Sequence, residues 1–451
     1  MKVCLSPFAI DSLINDQNIL IAGNWCITDN TLKILKNNNF KYTLQPPRTL
    51  SKEEFNTEAK LCLNIYDKYI KVLSNELNRI HKTNYSTRYW NTLCNRFLYP
   101  LIATIIDKNN NLKLITDSYN NVETDIIDYK SEWFSLHSFP SFGGSRILHF
   151  LLYSIIVQNN PEISSKKIND NIIRRQLAKM GDGKKDIKSR KPNIPQEKKP
   201  FFINNRLRNA LKGSVPLSFL KYSKANVVAL GNQYLKTKDI MSLIIRTYNL
   251  PFYYYADENK IKYQNPYNQS MRNKILFPEP ENTIEKSIQD SIRLFCPTYL
   301  FENYEFMRSK CREYVPPKKI IILNSQHCSG REILDYFIAH SVEEYQSDHV
   351  QINHGGCYGI METSIQEKIW SQISDKYALW SNINVENTTN KIIKMPSLRF
   401  NNYQYFSSKN KVKDKILYLG SCFYPYRYSY DSIFPLTISS NHEEWQVRFF
   451  S

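Results

Sequence analysis

The segment Asp348-His-Val-Gln-Ile-Asn-His-Gly-Gly-Cys-Tyr-Gly359 is the part of the sequence from which the fold is most clearly predicted. An apolar run stops at Asn353 and His354, and three of the chain's 12 glycines follow within 355–359. A parallel strand that ends at a ligand-facing turn has this form, because glycine lets the backbone come close to a bound group. In open α/β sheets the ligand lies outside the carboxyl ends of the strands. The pattern therefore predicts that His354 lies beside a phosphate, a carboxylate or a leaving-group oxygen.

Strand and helix patterns alternate on both sides of this segment. Upstream, an apolar strand pattern at 319–323 precedes a helical pattern at 330–339. Downstream, a helical pattern at 362–372 precedes a strand pattern at 376–380. Units of this length in this order are typical of a parallel sheet covered by helices. The predicted fold class is therefore α/β, with a Rossmann-like parallel sheet.

The first part of the chain contributes short buried strands and a long helical region. Strand patterns occupy 18–22 and 226–230, and each ends at a glycine. Ser51 and Glu54 have the spacing of a capping box, and apolar residues at helical spacing follow them to about residue 106. Further helices are predicted at 86–106, 145–157 and 284–295.

Length and composition indicate a globular protein of several domains. A chain of 451 residues is expected to form two or three domains. Its 42% hydrophobic and 13% aromatic content is that of a folded protein. No apolar run is long enough to span a membrane, and the first residues lack the apolar core of a signal peptide. The nine cysteines are scattered without a Cys-x-x-Cys pair, which suits a reducing cytosol and argues against a disulfide framework or a structural zinc site.

The formal net charge of +18 is concentrated in one basic segment, residues 166–212. This segment carries 15 Lys and Arg against four Asp and Glu, a net charge of +11. Its part 180–200 is rich in Gly, Pro and Lys and has no hydrophobic periodicity, which is typical of an exposed loop or linker. A solvated insertion and attraction to an anionic membrane or polyanionic glycan both explain it. Nucleic acid is not expected as a partner, because aromatic residues are not interleaved with the charges.

Several enzyme classes are not supported by the motifs. The segment 324–330 lacks the Gly-Lys-Ser/Thr ending of a P-loop, and no Gly-x-Gly-x-x-Gly surrounds Gly23. No Gly-x-Ser-x-Gly turn of a serine hydrolase occurs. These patterns argue against a P-loop ATPase, a dinucleotide dehydrogenase and a hydrolase of that type.

Four segments together carry a resemblance to a known family. They are Gly23-Asn-Trp-Cys26, Tyr85-Ser-Thr-Arg-Tyr-Trp90, Asn353-His-Gly-Gly-Cys-Tyr-Gly359 and Ile373-Ser-Asp-Lys-Tyr-Ala-Leu-Trp380. In order and spacing the chain resembles bacterial transferases of O-antigen and surface-polysaccharide clusters, which are related to GT-B glycosyltransferases. The resemblance covers nearly the whole chain. It implies metal-independent transfer of a sugar from a nucleotide donor, in a cleft between two Rossmann-like domains.

The chain departs from that family in three respects. Asn24 stands where an acidic residue is usual, and Ser381 stands in place of a glycine. Residues 1–411 are predicted to form an N-terminal Rossmann-like domain, with a helical region at 51–157 and the basic segment as an insertion. The third departure is that residues 412–451 are predicted to start a second Rossmann-like domain that is incomplete. A sheet with unburied faces is not stable, so a truncated or inactive remnant is the alternative to an active enzyme.

Three residues are candidates for catalysis. An inverting sugar transferase needs a general base for the acceptor hydroxyl, usually Asp, Glu or His. His354 is a candidate base or phosphate ligand, although a histidine bonded to backbone at a strand end has the same pattern. Glu362, at the start of the following helix, and Asp375, before the next strand, are further candidates. An acid in a first helical turn and an Asp in a turn also occur for purely structural reasons.

The remaining candidates are binding residues, because the leaving nucleotide needs cations or backbone amides at its phosphates. Donor binding is expected from His354, Gly355, Gly356, Tyr358 and Arg427. Acceptor binding is expected from Trp25, Arg88 and Trp90, although aromatic residues at a helix start are more often core. No metal ligand is predicted.

The predicted function is that of a glycosyltransferase that adds a hexosyl or nonulosonate group to a growing O-antigen or capsule-type polysaccharide. Its expected partners are a nucleotide sugar, which is a substrate, and a polysaccharide or lipid-linked glycan acceptor, and no cofactor is expected. The predicted location is the cytoplasm, with peripheral contact of 166–212 with the anionic inner face of the plasma membrane. The alternative is a catalytically inactive or truncated remnant that binds a glycan or a partner.

Overall fold

The structure is a computed structural model that describes sixteen stretches of the chain. They are residues 1–10, 18–38, 41–46, 48, 50–127, 146–168, 214–216, 226–230, 242, 245–246, 253–255, 265–315, 318–324, 332–353, 363–380 and 392–395.

The amino-terminal strands form a five-stranded parallel sheet. Its order is β3-β2-β1-β4-β5, and every neighbouring pair is parallel. The central strand β1 is the first of the chain, and the edge strands β3 and β5 are largely exposed. The strands are β1 (Lys2–Cys4), β2 (Asn18–Ile21), β3 (Lys41–Leu44), β4 (Glu123–Ile127) and β5 (Ser164–Ile168).

The later strands form a second parallel sheet of seven strands. Its order is β12-β11-β10-β9-β7-β8-β6, and all neighbouring pairs are again parallel. Strand β10 lies inside this sheet, between β9 and β11. The strands are β6 (Ser214–Pro216), β7 (Val227–Leu230), β8 (Tyr253–Tyr255), β9 (Ile321–Asn324), β10 (Asp348–Ile352), β11 (Lys376–Leu379) and β12 (Ile392–Lys394).

Helices cover these sheets and connect them. Short 3-10 helices occur at Asn24–Cys26 and Thr298–Leu300. The α-helices are α1 (Asp29–Asn37), α2 (Lys52–His81), α3 (Thr87–Ser118), α4 (Arg146–Gln158), α5 (Gln269–Asn273), α6 (Thr283–Phe295), α7 (Tyr304–Arg312), α8 (Glu332–Tyr345) and α9 (Ile365–Ile373).

Helices α2 and α3 form a long hairpin whose ends are capped by specific residues. Ser51 and Glu54 form the predicted capping box at the start of α2. Lys82 ends α2 in the left-handed conformation, with φ of 53°. Ser86 caps α3 by accepting a hydrogen bond from the backbone N–H of Tyr89 at 3.2 Å. These caps satisfy backbone groups that helix ends leave without partners.

Helix α3 is the central helix of the molecule. It packs against α2, against α4, which covers the first sheet, and against α6, α8 and α9. Most of its side chains are buried, from Tyr89 to Ile115. The hydrophobic core consequently runs from β1 through α3 to α8 without interruption.

Most elements predicted from the sequence are confirmed to within a few residues. Exceptions are α3, which continues to Ser118 where the prediction ended it near residue 106, and α8, which continues to Tyr345 where the prediction ended it at residue 339. The polar run 107–111 resembles a loop in sequence, but Leu112 and Ile115 beyond it are buried and continue the apolar face. Packing therefore overrides the low helix propensity of the asparagines. The apolar run at 415–419 also predicts a strand, and this segment lies outside the described residues.

The organisation into domains differs from the sequence-based expectation. One Rossmann-like domain was expected over 1–411, yet the described strands of that range form two separate parallel sheets. Sequence periodicity indicates individual strands, but it does not show which strands share a sheet. Residues 412–451 lie outside the described part of the chain, so the expected start of a further domain there stays a prediction.

Among the described helices, none combines the length and apolar character needed to cross a membrane.

Candidate functional site at the carboxyl ends of the two sheets

The end of β10 positions the segment that the sequence singled out. Asn353, directly after β10, is buried, and its backbone N–H donates to the carbonyl oxygen of Ala378 at 2.9 Å. The strand end is thereby fixed to β11. His354 is the next residue along the chain and lies outside the described part.

The next described element after this segment is the amino end of a helix. Thr363 and Ser364 are buried, and the Ser364 hydroxyl accepts a hydrogen bond from the backbone N–H of Glu367 at 3.3 Å. Helix α9 begins at Ile365. Segment 354–362 therefore connects a strand end to a helix N-terminus, an arrangement that suits anion binding because backbone N–H groups and the helix dipole favour negative charge.

Six predicted site residues lie outside the described part of the chain. Their assignment to donor binding or catalysis stays a prediction. They are His354, Gly355, Gly356, Tyr358, Glu362 and Arg427.

Asp375 is not in the candidate site, which corrects its predicted catalytic role. Its carboxylate accepts two hydrogen bonds from the Arg88 guanidinium, at 2.9 and 2.8 Å, and one from the backbone N–H of His349 at 2.8 Å. It precedes β11 at the amino edge of the sheet, whereas Asn353 lies at the carboxyl edge. Four residues of strand from His349 to Asn353 separate the two edges by roughly 13 Å. Asp375 therefore joins α3 to the second sheet.

The electrostatics of Asp375 agree with this structural role. Partial burial by itself raises the pKa of the carboxyl group, but the Arg88 guanidinium and the His349 N–H together hold that pKa below its ordinary value. Arg88 also donates to the carbonyl oxygen of Ile373 at 3.1 Å. Both side chains are thus committed to each other, and the predicted acceptor-binding role of Arg88 is corrected as well.

Trp90 belongs to the hydrophobic core, so its predicted contact with an acceptor is also corrected. Its side chain is fully buried, and its indole N–H donates to Asn78 Oδ1 at 2.9 Å. The ring packs at 5.1 Å from the rings of Tyr89 and Tyr304. An indole enclosed in this way cannot contact an acceptor.

Trp25 lies at the carboxyl edge of the first sheet, as the sequence indicated. It follows β2 in a 3-10 helix, and its indole N–H donates to the carbonyl oxygen of Leu5 at 3.3 Å. A Cβ on Gly23 would lie only 2.2 Å from the Trp25 ring. Gly23 is therefore required for the close approach of the ring to the strand-exit turn. Trp25 is partly exposed and remains the acceptor-side candidate.

Lys108 lies beside Trp25, and the sequence reasoning missed it. Its ammonium nitrogen is 4.1 Å from the centre of the Tyr153 ring and 5.9 Å from that of Trp25. Burial lowers the pKa of Lys108 to about 7, against the opposing effects of Asp107 and Cys26. The sequence feature that could have identified Lys108 is the charged pair Asp107 and Lys108, which follows the apolar run 101–106 within one helix. The carboxyl edge of the first sheet thus holds an amine that changes charge near neutral pH.

A second group of polar residues was also missed, on the face of the second sheet at β9 and β10. Arg96 forms an ion pair with Asp335 at 2.9 Å, and Asn324 donates to Gln351 at 3.2 Å. His349 lines the same region and is fully buried. Asp335 interrupts the apolar run of residues 333–339, which was the signal that could have identified it.

These features define the class of protein. Two all-parallel sheets covered by helices, with polar groups at their carboxyl ends, form an α/β, Rossmann-like architecture of the GT-B kind. The chain belongs to the LIC12162 family of transferases, whose family model matches residues 7–451. Neither the curated proteins nor the solved structures contain a match to this chain. The family description identifies the protein as a transferase.

Proposed function

We propose that this transferase moves a sugar from a nucleotide donor to a growing surface polysaccharide of the O-antigen or capsule type. The observation that supports it most is the connection of the β10 strand end to the α9 N-terminus by a segment that contains His354 and three glycines. Nucleotide phosphates bind at such strand-to-helix connections of parallel sheets.

On this proposal the donor lies at the second sheet. Gly355 and Gly356 let the backbone approach the donor phosphates, and the α9 N-terminus with Arg427 balances the charge of the leaving nucleotide. Tyr358 lies against the nucleotide or its sugar. No metal ion is part of the proposal, because these groups supply the positive charge.

The acceptor lies at the first sheet. Trp25 offers the ring face on which a sugar packs, and Lys108 beside it contributes a positive charge when protonated. His354 removes the proton from the acceptor hydroxyl, with Glu362 as the other candidate base. Asp375, Arg88 and Trp90 have no part in the chemistry, since their side chains are used in the contacts described above.

The reason for expecting an inactive remnant is weakened by the fold. That expectation rested on the lack of a second parallel sheet, and strands β6 to β12 form one. The donor side of the proposed cleft therefore has a sheet to support it. The proposed setting is the cytoplasmic face of the plasma membrane, with the basic segment 166–212 near anionic lipid.

Calorimetric titration with CMP, CDP, UDP, GDP and dTDP tests the donor site. The proposal predicts that one nucleotide binds selectively and that His354→Ala weakens its binding at least tenfold. Lys71→Ala, which changes an exposed residue of α2, is the matched control and keeps the wild-type affinity. A folded protein that binds none of the five nucleotides, or binds one equally well without His354, would contradict the proposal.

A further inference from the structure

A small polar cavity lies between α3, α8 and the face of the second sheet. Its volume is about 10 Å³, close to the space that a single water molecule requires. The sheet face beneath a covering helix is normally apolar, yet most groups that line this cavity are polar. They include Asn95, Arg96, Asn324, Asp335, His349 and Gln351.

Two of the residues that line this cavity each have one buried side-chain atom with no hydrogen-bond partner among the described residues. These atoms are Asp335 Oδ2 and His349 Nε2. Asp335 is 5% exposed and His349 is 0% exposed, so bulk water does not satisfy either atom. A buried polar atom without a partner costs about 1–3 kcal/mol. The site is therefore incomplete without a ligand.

The remaining contacts of these two residues show what the ligand must do. His349 Nδ1 lies 3.0 Å from the carbonyl oxygen of Ile373, so Nδ1 carries the ring proton and Nε2 is an acceptor. Asp335 Oδ1 is occupied by Arg96 at 2.9 Å, which leaves Oδ2 as the second acceptor. The ligand must donate a hydrogen bond to each of two acceptors.

The charge balance selects a neutral ligand. Arg96 neutralises the carboxylate of Asp335 when that group is ionised, and burial keeps His349 uncharged by lowering its pKa to about 4. A metal or ammonium ion would add a buried charge without compensation, which is costly. Water fits better. It also tolerates protonation of Asp335, since it can accept from Oδ2–H and still donate to Nε2.

The position of the cavity gives such a water a structural task. Gln351 of β10 is paired in register with Asn324, the last residue of β9. Helices α3 and α8 provide Arg96 and Asp335 from the other side. A water here would connect these two helices to the strands that lead into 325–331 and 354–362.

We propose that this cavity is a hydration site, in which one water molecule bridges Asp335 Oδ2 and His349 Nε2 and so links α8 to β10. The inference does not depend on the proposed sugar transfer. It concerns how α8 is held on the face of the second sheet.

Crystal structures of the wild-type protein and two variants test this site. In the wild type we expect one ordered water within about 2.6–3.2 Å of both atoms. Asp335→Asn keeps the water, because the amide can donate to it while the water still donates to His349. His349→Met, which removes the acceptor at similar volume, loses it. An empty wild-type cavity, or an ion at metal–ligand distances, would overturn the proposal.

A solution measurement remains decisive if the methionine variant does not fold. The chain has eight histidines, and ¹⁵N-histidine labelling with His349→Gln assigns the signal of His349. The proposal requires a neutral ring with the proton on Nδ1 and an accepting Nε2 at every pH between 6 and 8. A protonated Nε2 would show that the ring donates to the cavity, and the proposed bridge would be wrong.

Discussion

His349 and Asp335 are predicted to change the stability of the fold with pH in opposite directions. Burial lowers the pKa of His349 from an ordinary value of 6.5 to about 4. Burial raises the pKa of Asp335 from 3.8 to about 7, although Arg96 opposes the shift. Among the charged groups nearby, Glu332 adds to the shift of Asp335, while Arg88 lowers and Asp375 raises the pKa of His349.

The histidine favours the folded state above its unfolded pKa. Below pH 6.5 the unfolded chain binds a proton at this residue, and the folded protein does so only near pH 4. The contribution of His349 is therefore lost as the pH falls through that window. Between pH 7 and pH 5 the loss is about 2 kcal/mol.

The carboxylate acts in the opposite sense. The folded protein keeps the Asp335 proton up to about pH 7, whereas the unfolded chain releases it near pH 3.8. The contribution of Asp335 is present at low pH and is lost as the pH rises towards 7. From pH 7 to pH 5 it increases stability by about 2 kcal/mol, which offsets the loss at His349.

Two conservative substitutions separate these effects. Relative to the wild type, His349→Gln should gain about 2 kcal/mol in free energy of unfolding between pH 7 and pH 5, and Asp335→Asn should lose about the same amount. Urea unfolding at both pH values measures the change, with Lys71→Gln as an exposed control. Burial also lowers the pKa of His81 and of His340 to about 4. Both residues are present in the wild type and in every variant, so their effect on the pH dependence cancels in the comparison. If the free energy of unfolding changed by the same amount between pH 7 and pH 5 in the wild type and in both variants, the reasoning would be refuted.

Three further substitutions test the structural assignments. Gly23→Ala should destabilise the protein by about 1–3 kcal/mol, because the new Cβ displaces the Trp25 ring; an unchanged near-ultraviolet circular dichroism spectrum and an unchanged unfolding midpoint would contradict this. Arg88→Lys should cost about 1 kcal/mol, since lysine cannot reproduce the two hydrogen bonds to Asp375. Its nucleotide affinity should stay within threefold of wild type, and a large loss in calorimetry would return Arg88 to the binding site. Ser51→Ala should lower the stability measured by thermal unfolding by about 1 kcal/mol, because the α2 cap is lost. Ser51→Asn should retain most of that stability, since asparagine is also a good N-cap. Equal losses in the two variants would argue against the capping box.

The sequence was most informative where the local pattern alone determines the structure. The end of β10 at Asn353 and the Ser51 cap of α2 were predicted because an apolar run and a capping box are short-range signals. Edge strands were missed for the opposite reason. Strand β5, for example, is exposed along 164–167 and so lacks the apolar pattern of a buried strand.

Contacts between distant residues could not be predicted from one sequence. Arg88 and Asp375 form an ion pair across 287 positions, and no local pattern relates them. Both were consequently assigned to the site when they in fact join α3 to the second sheet. Lys108 was overlooked because a lysine in a polar run usually lies on a solvated surface, whereas here Tyr153 of α4 and Trp25 lie against its ammonium group.

The central claim is that segment 354–359 holds a nucleotide sugar during transfer. The most direct measurement combines the purified protein, a mixture of nucleotide sugars and the lipid-linked glycans of the producing cell, and follows donors and products by mass spectrometry. We predict that one nucleotide sugar is consumed with release of its nucleotide, that a glycan gains that sugar, and that His354→Ala slows the reaction by about 10²–10⁴-fold. Lys71→Ala should react at the wild-type rate. Consumption of the donor at the same rate with and without His354 would contradict the account.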